Sequence, residues 1–130
     1  MNAQSQPFAR RFVLSVLLLS CTSLAWGSPS NKWRIEVSGG ANSDGIITLA
    51  VTPIGYEVIT VEIPVTDGKG ENAVASAIRK TLKEKLGKGF KVELDDGEDV
   101  LVKKRDKTPN FELALAESTV KGVRLNVQHE

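Results

Sequence analysis

The chain has 130 residues, of which 17 are lysine or arginine, 16 are aspartate or glutamate, one is histidine and one is cysteine. That length indicates a single domain, and a net charge of +1 lacks the basic excess typical of nucleic-acid-binding proteins. One cysteine excludes an internal disulfide, and one cysteine with one histidine is too few for a zinc site made of these ligands alone. Hydrophobic residues make up 41% of the sequence, which is enough for a packed core.

Residues 1–27 have the pattern of a secretory signal peptide. Arg10 and Arg11 give a positive start, a short apolar run follows, and small residues continue up to Gly27. We therefore predict cleavage after Gly27 and a single exported domain over residues 28–130, either periplasmic or secreted. The apolar run is shorter than the roughly 20 residues that cross a bilayer, so we expect no transmembrane segment after processing.

Cys21 leaves a second processing route open. Leu18-Leu19-Ser20-Cys21 resembles the lipobox of bacterial lipoproteins, in which the cysteine is lipidated and becomes the new N-terminus. Lipidation would anchor the protein in the cell envelope, whereas ordinary cleavage would remove the cysteine and leave 15 basic residues against 16 acidic ones. The intact mass of the exported protein distinguishes the two routes.

Three short segments with alternating apolar residues come first in the exported part. Residues 33–37, 47–51 and 59–65 each place an apolar side chain at every second position, which is typical of half-buried strands. Turns rich in glycine or proline separate them. Trp33 alternates with buried-type residues and is predicted to lie in the core. Pro64 cannot donate a backbone hydrogen bond, so its strand is predicted to lie at a sheet edge or to end there.

A helix is predicted next, from residue 71 to 86. Val74, Ile78 and Leu82 recur at helical spacing with charged residues between them. Acidic residues precede this segment, and basic residues and Gly87 end it, as capping and the helix dipole favour. Four further short strands follow, at residues 90–94, 100–104, 111–115 and 123–127.

The order of elements predicts the fold class. Short connections between strands favour hairpins and antiparallel pairing. A single amphipathic helix must bury its apolar stripe against other elements. We therefore predict an α+β fold, with a mainly antiparallel sheet of short strands and one amphipathic helix packed on one face.

The predicted arrangement resembles a known structural module. Val61-Glu-Ile-Pro-Val65, a turn with glycine and aspartate, Ala73-Val-Ala-Ser-Ala-Ile78, a glycine-rich exit and an alternating hairpin are similar to the hairpin-helix-hairpin modules of phage tail-sheath-like and bacterial surface proteins. The resemblance covers roughly residues 45–127. It implies a structural or assembly role and carries no catalytic residues.

The densest acidic cluster lies in a predicted hairpin turn. Asp95, Asp96, Glu98 and Asp99 supply the oxygen ligands that calcium prefers. Their spacing is not that of an EF-hand loop, and an Asp-Gly turn with solvated carboxylates is the alternative interpretation. Calcium binding here is a weak candidate. No other cofactor is predicted.

Basic residues predict a second candidate contact surface. If folding brings them together, they favour an anionic component of the envelope, and the alternative is a set of solvated charges that keep strand edges from aggregating. The residues are Lys80, Lys83, Lys103, Lys104 and Arg105.

Catalysis is not expected. His129 is the only histidine and lies next to the C-terminus, where chain ends fray, so a hydrolytic triad lacks its base. The sequence therefore predicts a small exported bacterial protein that acts by binding or assembly, with a protein partner or a second copy of itself. A periplasmic inhibitor or ligand-binding protein is the alternative. For that role the turn at Asp95–Asp99 and the turn at Pro53–Tyr56 are the candidate contact loops, and Tyr56 is expected at a hairpin tip.

Overall fold

The computed structural model describes residues 28–130, so the predictions for the signal peptide and for Cys21 lie outside the described residues. The elements in chain order are β1 (Lys32–Ser38), β2 (Gly45–Pro53), β3 (Ile59–Val65), α1 (Glu71–Leu86), a 3-10 turn (Gly87–Gly89), β4 (Phe90–Asp95), β5 (Asp99–Lys104), β6 (Phe111–Ser118) and β7 (Arg124–His129).

The described strands form two antiparallel sheets. One has the order β4-β5-β1-β7 and the other has the order β3-β2-β6. The predicted α+β class is confirmed, as is the edge position of the strand that contains Pro64. The hairpins β2-β3 and β4-β5 form, but the consecutive strands β1 and β2 lie in different sheets, and so do β6 and β7.

The core lies between the two sheets. Alternation along each strand directs one set of side chains inward, and both sheets contribute fully buried residues. Phe90 of β4 and Phe111 of β6 also meet edge to face, with ring centroids 5.0 Å apart. The largest fully buried side chains from the sheets include Ile35, Ile47, Leu49, Ile63, Phe111 and Leu113.

Helix α1 has the bounds that the sequence predicts. Val74, Ile78 and Leu82 are buried on one face, while Lys80 and Lys83 are exposed. The helix contacts β3, an edge strand of one sheet, and β4, an edge strand of the other. It therefore covers the gap between the sheets on that side. Within residues 28–130, no helix has both the length and the apolar character needed to cross a membrane.

Two loops that cross between the sheets lie side by side. The loop after β1 and the loop before β7 are joined by hydrogen bonds, including Asn42 N to the Lys121 carbonyl at 2.8 Å. Gly39 has a φ of 81° and Gly122 a φ of 90°, and a Cβ on Gly39 would lie 2.2 Å from the Gly122 carbonyl oxygen. Only glycine at both positions allows the loops to approach this closely.

The packing of α1 against the core can be tested by a substitution at a buried position of the helix. Ile78→Ala removes a fully buried side chain, so we expect urea denaturation to show a loss of about 2–5 kcal/mol in the free energy of unfolding. The exposed control Lys80→Ala on the same helix is expected to change it by less than about 0.5 kcal/mol. Equal effects of the two substitutions would show that the helix does not pack as described.

Candidate functional site

A cleft separates the two edge strands that α1 does not cover. β6 ends one sheet and β7 ends the other, and the cleft between them has a volume of about 490 Å³. Its lining is mostly apolar and comes from three strands. The lining residues are Trp33, Glu112, Leu113, Ala114, Leu115, Val127, Gln128 and His129.

The edge of β6 that faces this cleft presents backbone hydrogen-bonding groups. At its start, Phe111 exchanges two backbone bonds with Ser30, at 2.9 and 3.0 Å. Because strand residues alternate in direction, Leu113 and Leu115 direct their N–H and C=O groups to that same side. Among residues 28–130, no backbone hydrogen bond joins β6 to β7. The edge is accessible to another strand at Leu115, which is 38% exposed, whereas Leu113 is buried.

Part of the free edge of β6 lacks the charged residues and proline that usually protect a strand edge. Between Leu113 and Ala116 the strand carries no charge and no proline, whereas the edge strand β3 contains Pro64 and the edge strand β4 contains Lys91. A bulge leaves Ala116 without a partner on β2, so the regular free edge ends at Leu115.

Trp33 and His129 form one end of the cleft. The Trp33 indole N–H donates to the carbonyl oxygen of Phe111 at 2.8 Å, which ties β1 of one sheet to β6 of the other. His129 stands edge-on to Trp33, with centroids 5.2 Å apart. The expectation of a frayed C-terminus is wrong here, because His129 pairs with Trp33 in the sheet and Glu130 N donates to the Lys32 carbonyl.

Glu112 is the one charged residue of the described chain that is buried. Its side chain lines the β6–β7 cleft, only 8% of the residue is exposed, and its Oε1 atom has no hydrogen-bond partner. Burial raises the pKa of the Glu112 carboxyl above its usual range, and the nearby His129 acts in the opposite direction. An unpaired buried carboxylate is costly, so this position favours a cationic partner.

A second, smaller cavity reaches Glu112 from the other side. It has a volume of about 220 Å³ and is lined by Pro29, Glu112 and the turn that joins β2 to β3, including Tyr56. Tyr56 is 69% exposed, as its predicted place at a hairpin tip requires. The segment that leads into β1 therefore lies beside the buried carboxylate.

The acidic turn is organised by an arginine that sequence analysis did not associate with it. Arg34 Nη1 donates to Asp95 Oδ2 at 3.0 Å and to Asp99 Oδ2 at 2.6 Å, and Arg34 Nε donates to Glu130. These hydrogen bonds, the one to Glu130 foremost, raise the pKa of Arg34. The hydrogen bond from Arg34 also lowers the pKa of Glu130, and Lys32 lowers it further.

The calcium prediction must be weighed against this guanidinium. The structure brings together oxygens of Asp95, Asp96 and Asp99 within 4.8 Å of one another, and Glu98 is not part of that group. Two of the three carboxylates already accept hydrogen bonds from Arg34, so a bound calcium ion would compete with it. Calcium binding stays a prediction.

The predicted basic residues lie on a strand, on the loop after it and on the helix. Lys103 pairs in register with Lys32 and Lys91 on a sheet face and makes a salt bridge with Glu93 at 2.9 Å, which lowers the pKa of Glu93. The next residue, Lys104, points to the opposite face. Arg105 Nε donates to the Phe90 carbonyl. Lys80 and Lys83 are exposed on the helix.

Sequence reasoning missed Glu112. Alternation in Phe111-Glu-Leu-Ala-Leu115 places the glutamate on the face turned away from the core, which predicts an exposed side chain. The nearby Pro29, from the segment before β1, is about 80 residues away in sequence. No local pattern could have indicated this contact. The one available signal was an acidic residue within an otherwise apolar strand segment.

No protein family and no curated protein sequence matches this chain.

The hydrogen bonds of Arg34 predict that its removal lowers the free energy of unfolding more than removal of an exposed lysine does. The Arg34 side chain is 17% exposed and bonds three carboxylates, so Arg34→Gln is expected to lower the free energy of unfolding by about 1 kcal/mol or more. Lys91→Gln, in a 3.6 Å pair whose lysine is 55% exposed, is expected to change it by less than about 0.5 kcal/mol.

The pH dependence of the Arg34 effect provides the check. Because the folded state lowers the pKa of Glu130, this stabilisation is present above the unfolded pKa of about 4.3 and is lost as pH falls through the folded value. Denaturation midpoints of wild type and Arg34→Gln should converge in acid. A difference that persists at the lowest pH would contradict the ion-pair assignment.

Proposed function

We propose that this protein is exported, is processed after Gly27, and acts without catalysis by binding an extended segment of a partner protein along the free edge of β6. The unpaired backbone groups on this edge, which are exposed at Leu115, are the observation that carries the proposal. Strand addition of this kind draws its affinity from main-chain hydrogen bonds and its specificity from pockets for alternate side chains. The cleft beside β6 supplies such pockets.

Several features support a binding role. The cleft is lined largely by apolar side chains, among them Leu115 and Val127, which suits a partner segment with a hydrophobic residue at every second position. The only histidine packs against Trp33 rather than beside a nucleophile. The resemblance to hairpin-helix-hairpin assembly modules favours the same class of function. Export is supported by the composition of residues 1–27, with lipidation at Cys21 as the alternative route to the envelope.

A second candidate function is favoured by an exposed apolar loop. Ile54, Tyr56 and Val58 lie between β2 and β3 and are 54%, 69% and 52% exposed. Large apolar side chains grouped on a loop are typical of a contact surface. This loop supports the alternative of an inhibitor or ligand-binding protein that presents residues 54–58. An anionic partner at the basic residues has less support, because Lys103 already pairs with Glu93.

Site-specific photo-crosslinking in the exporting cell tests the proposal. A photoreactive amino acid at Ala114 lies on the free edge, and the same amino acid at Lys83 on α1 is the control. We expect an adduct of defined mass at 114 and none at 83. An adduct at twice the protein's own mass would identify a second copy as the partner.

A pair of substitutions at Leu115 separates backbone from side-chain binding. Leu115→Pro removes the outward amide without breaking a hydrogen bond to β2, so the adduct at 114 should fall about tenfold, as loss of a hydrogen bond worth about 1.4 kcal/mol implies. Leu115→Ala keeps the amide and should retain most of the adduct. Circular dichroism establishes that both variants fold. An adduct that survives Leu115→Pro, or one that forms only from position 56, would refute strand addition at β6.

A further inference from the structure

We propose that Glu112 is the receptor for the α-ammonium group that signal-peptide cleavage creates on Ser28, so that processing completes an ion pair that the precursor lacks. This inference rests on the proposed export and on cleavage after Gly27. It identifies the cationic partner of the buried carboxylate as part of the same chain.

The first step is the path of the chain before β1. Ser30 N donates to the Phe111 carbonyl at 2.9 Å, and Phe111 N donates to the Ser30 carbonyl at 3.0 Å, an isolated antiparallel bridge. In such pairing the residue before Ser30 lies opposite the residue after Phe111. Pro29 is therefore opposite Glu112, and both line the same 220 Å³ cavity.

The second step is the burial of Glu112 and its lack of a charged partner. It is 8% exposed, and its Oε1 atom has no partner among the described residues. Thr52 and Tyr56, which share the cavity on the Pro29 side, carry no positive charge. On the cleft side, His129 is the titratable neighbour. The site therefore holds a carboxylate with room beside it and no permanent cation.

The third step is the chemistry of cleavage. In the precursor the Ser28 nitrogen is an amide, which carries no charge and cannot act as a cation. A signal peptidase hydrolyses the Gly27–Ser28 bond with one water molecule, which leaves a carboxylate on Gly27 and a primary amine on Ser28. The amine takes up a proton at neutral pH, since its ordinary pKa is about 7.7–8.0. The new charge stands one residue before Pro29, which shares the 220 Å³ cavity with Glu112.

Charge pairing at this position predicts opposite effects of one substitution in two forms of the protein. Each form is the exported chain that begins at Ser28, either with a free α-amine or with that amine acetylated. In the free form, Glu112→Gln removes one partner of the pair and should lower the melting temperature. In the acetylated form, the same substitution replaces an unpaired buried carboxylate by a neutral amide and should raise the melting temperature or leave it unchanged.

Titration of the α-amine is the direct measurement. Its pKa, measured from the pH dependence of the amine's reaction with an acylating reagent, should be raised by about one unit above 7.7–8.0 in the wild type and return to that range in Glu112→Gln. Stability from the pair is present below the unfolded pKa and is lost as pH rises through the folded value. Glu117→Gln, at an exposed position of β6, and His129→Gln should both leave the α-amine raised.

The outcomes separate this inference from the proposed export. Intact mass and N-terminal sequencing of the exported protein come first, and a mature chain that does not begin at Ser28 overturns the ion pair together with the predicted processing. If the chain begins at Ser28 but its α-amine titrates normally in wild type and in Glu112→Gln alike, the ion pair is overturned while export and the binding role of β6 stand. A raised pKa that is lost in His129→Gln, rather than in Glu112→Gln, also overturns it.

Discussion

Every backbone N–H and C=O of a buried strand needs a hydrogen-bond partner, and that constraint organises this protein. Two open sheets have four edge strands, β3, β4, β6 and β7. Among the described residues one helix covers them in part, since α1 packs against both β3 and β4. The opposite side of the sandwich keeps two strand edges without a covering element among the described residues. The cleft between β6 and β7, and the binding role proposed for it, follow from that asymmetry.

The same asymmetry explains why charge and aromatic groups collect at one end of the cleft. Trp33 joins the sheets through its bond to the Phe111 carbonyl, and the segment before β1 crosses to β6 at Ser30. This crossing brings Pro29 beside Glu112 and leaves the carboxylate buried without a partner. On the other sheet, Arg34 pairs with Asp95 and Asp99 of the acidic turn. Glu112 differs from these carboxylates because it is buried and its Oε1 atom has no hydrogen-bond partner among the described residues.

Local patterns predicted the local elements. The helix from Glu71 to Leu86 has the predicted bounds because period, caps and charge order all agree over sixteen residues. The hairpin at Asp95–Asp99 and the buried position of Trp33 followed from alternation and turn chemistry. Pairing between distant strands could not be predicted in this way. β1 pairs with β5 and β7, and nothing in Lys32–Ser38 encodes these partners. The surroundings of Glu112 also depend on a distant contact, the bridge between Ser30 and Phe111, so the site was missed along with the topology.

Hydrogen exchange of single amides in the chain from residue 28 to 130 tests the open edge most directly. The amide of Ala114 points to β2 and that of Leu115 points to the cleft, so the two neighbours differ only in which side they face. The account predicts that Leu115 exchanges at least about a hundredfold faster than Ala114, as expected when one amide is free and the other is held in a ladder. Equal protection of the two amides would mean that β6 already has a partner strand on that side, and the proposed binding edge would not exist.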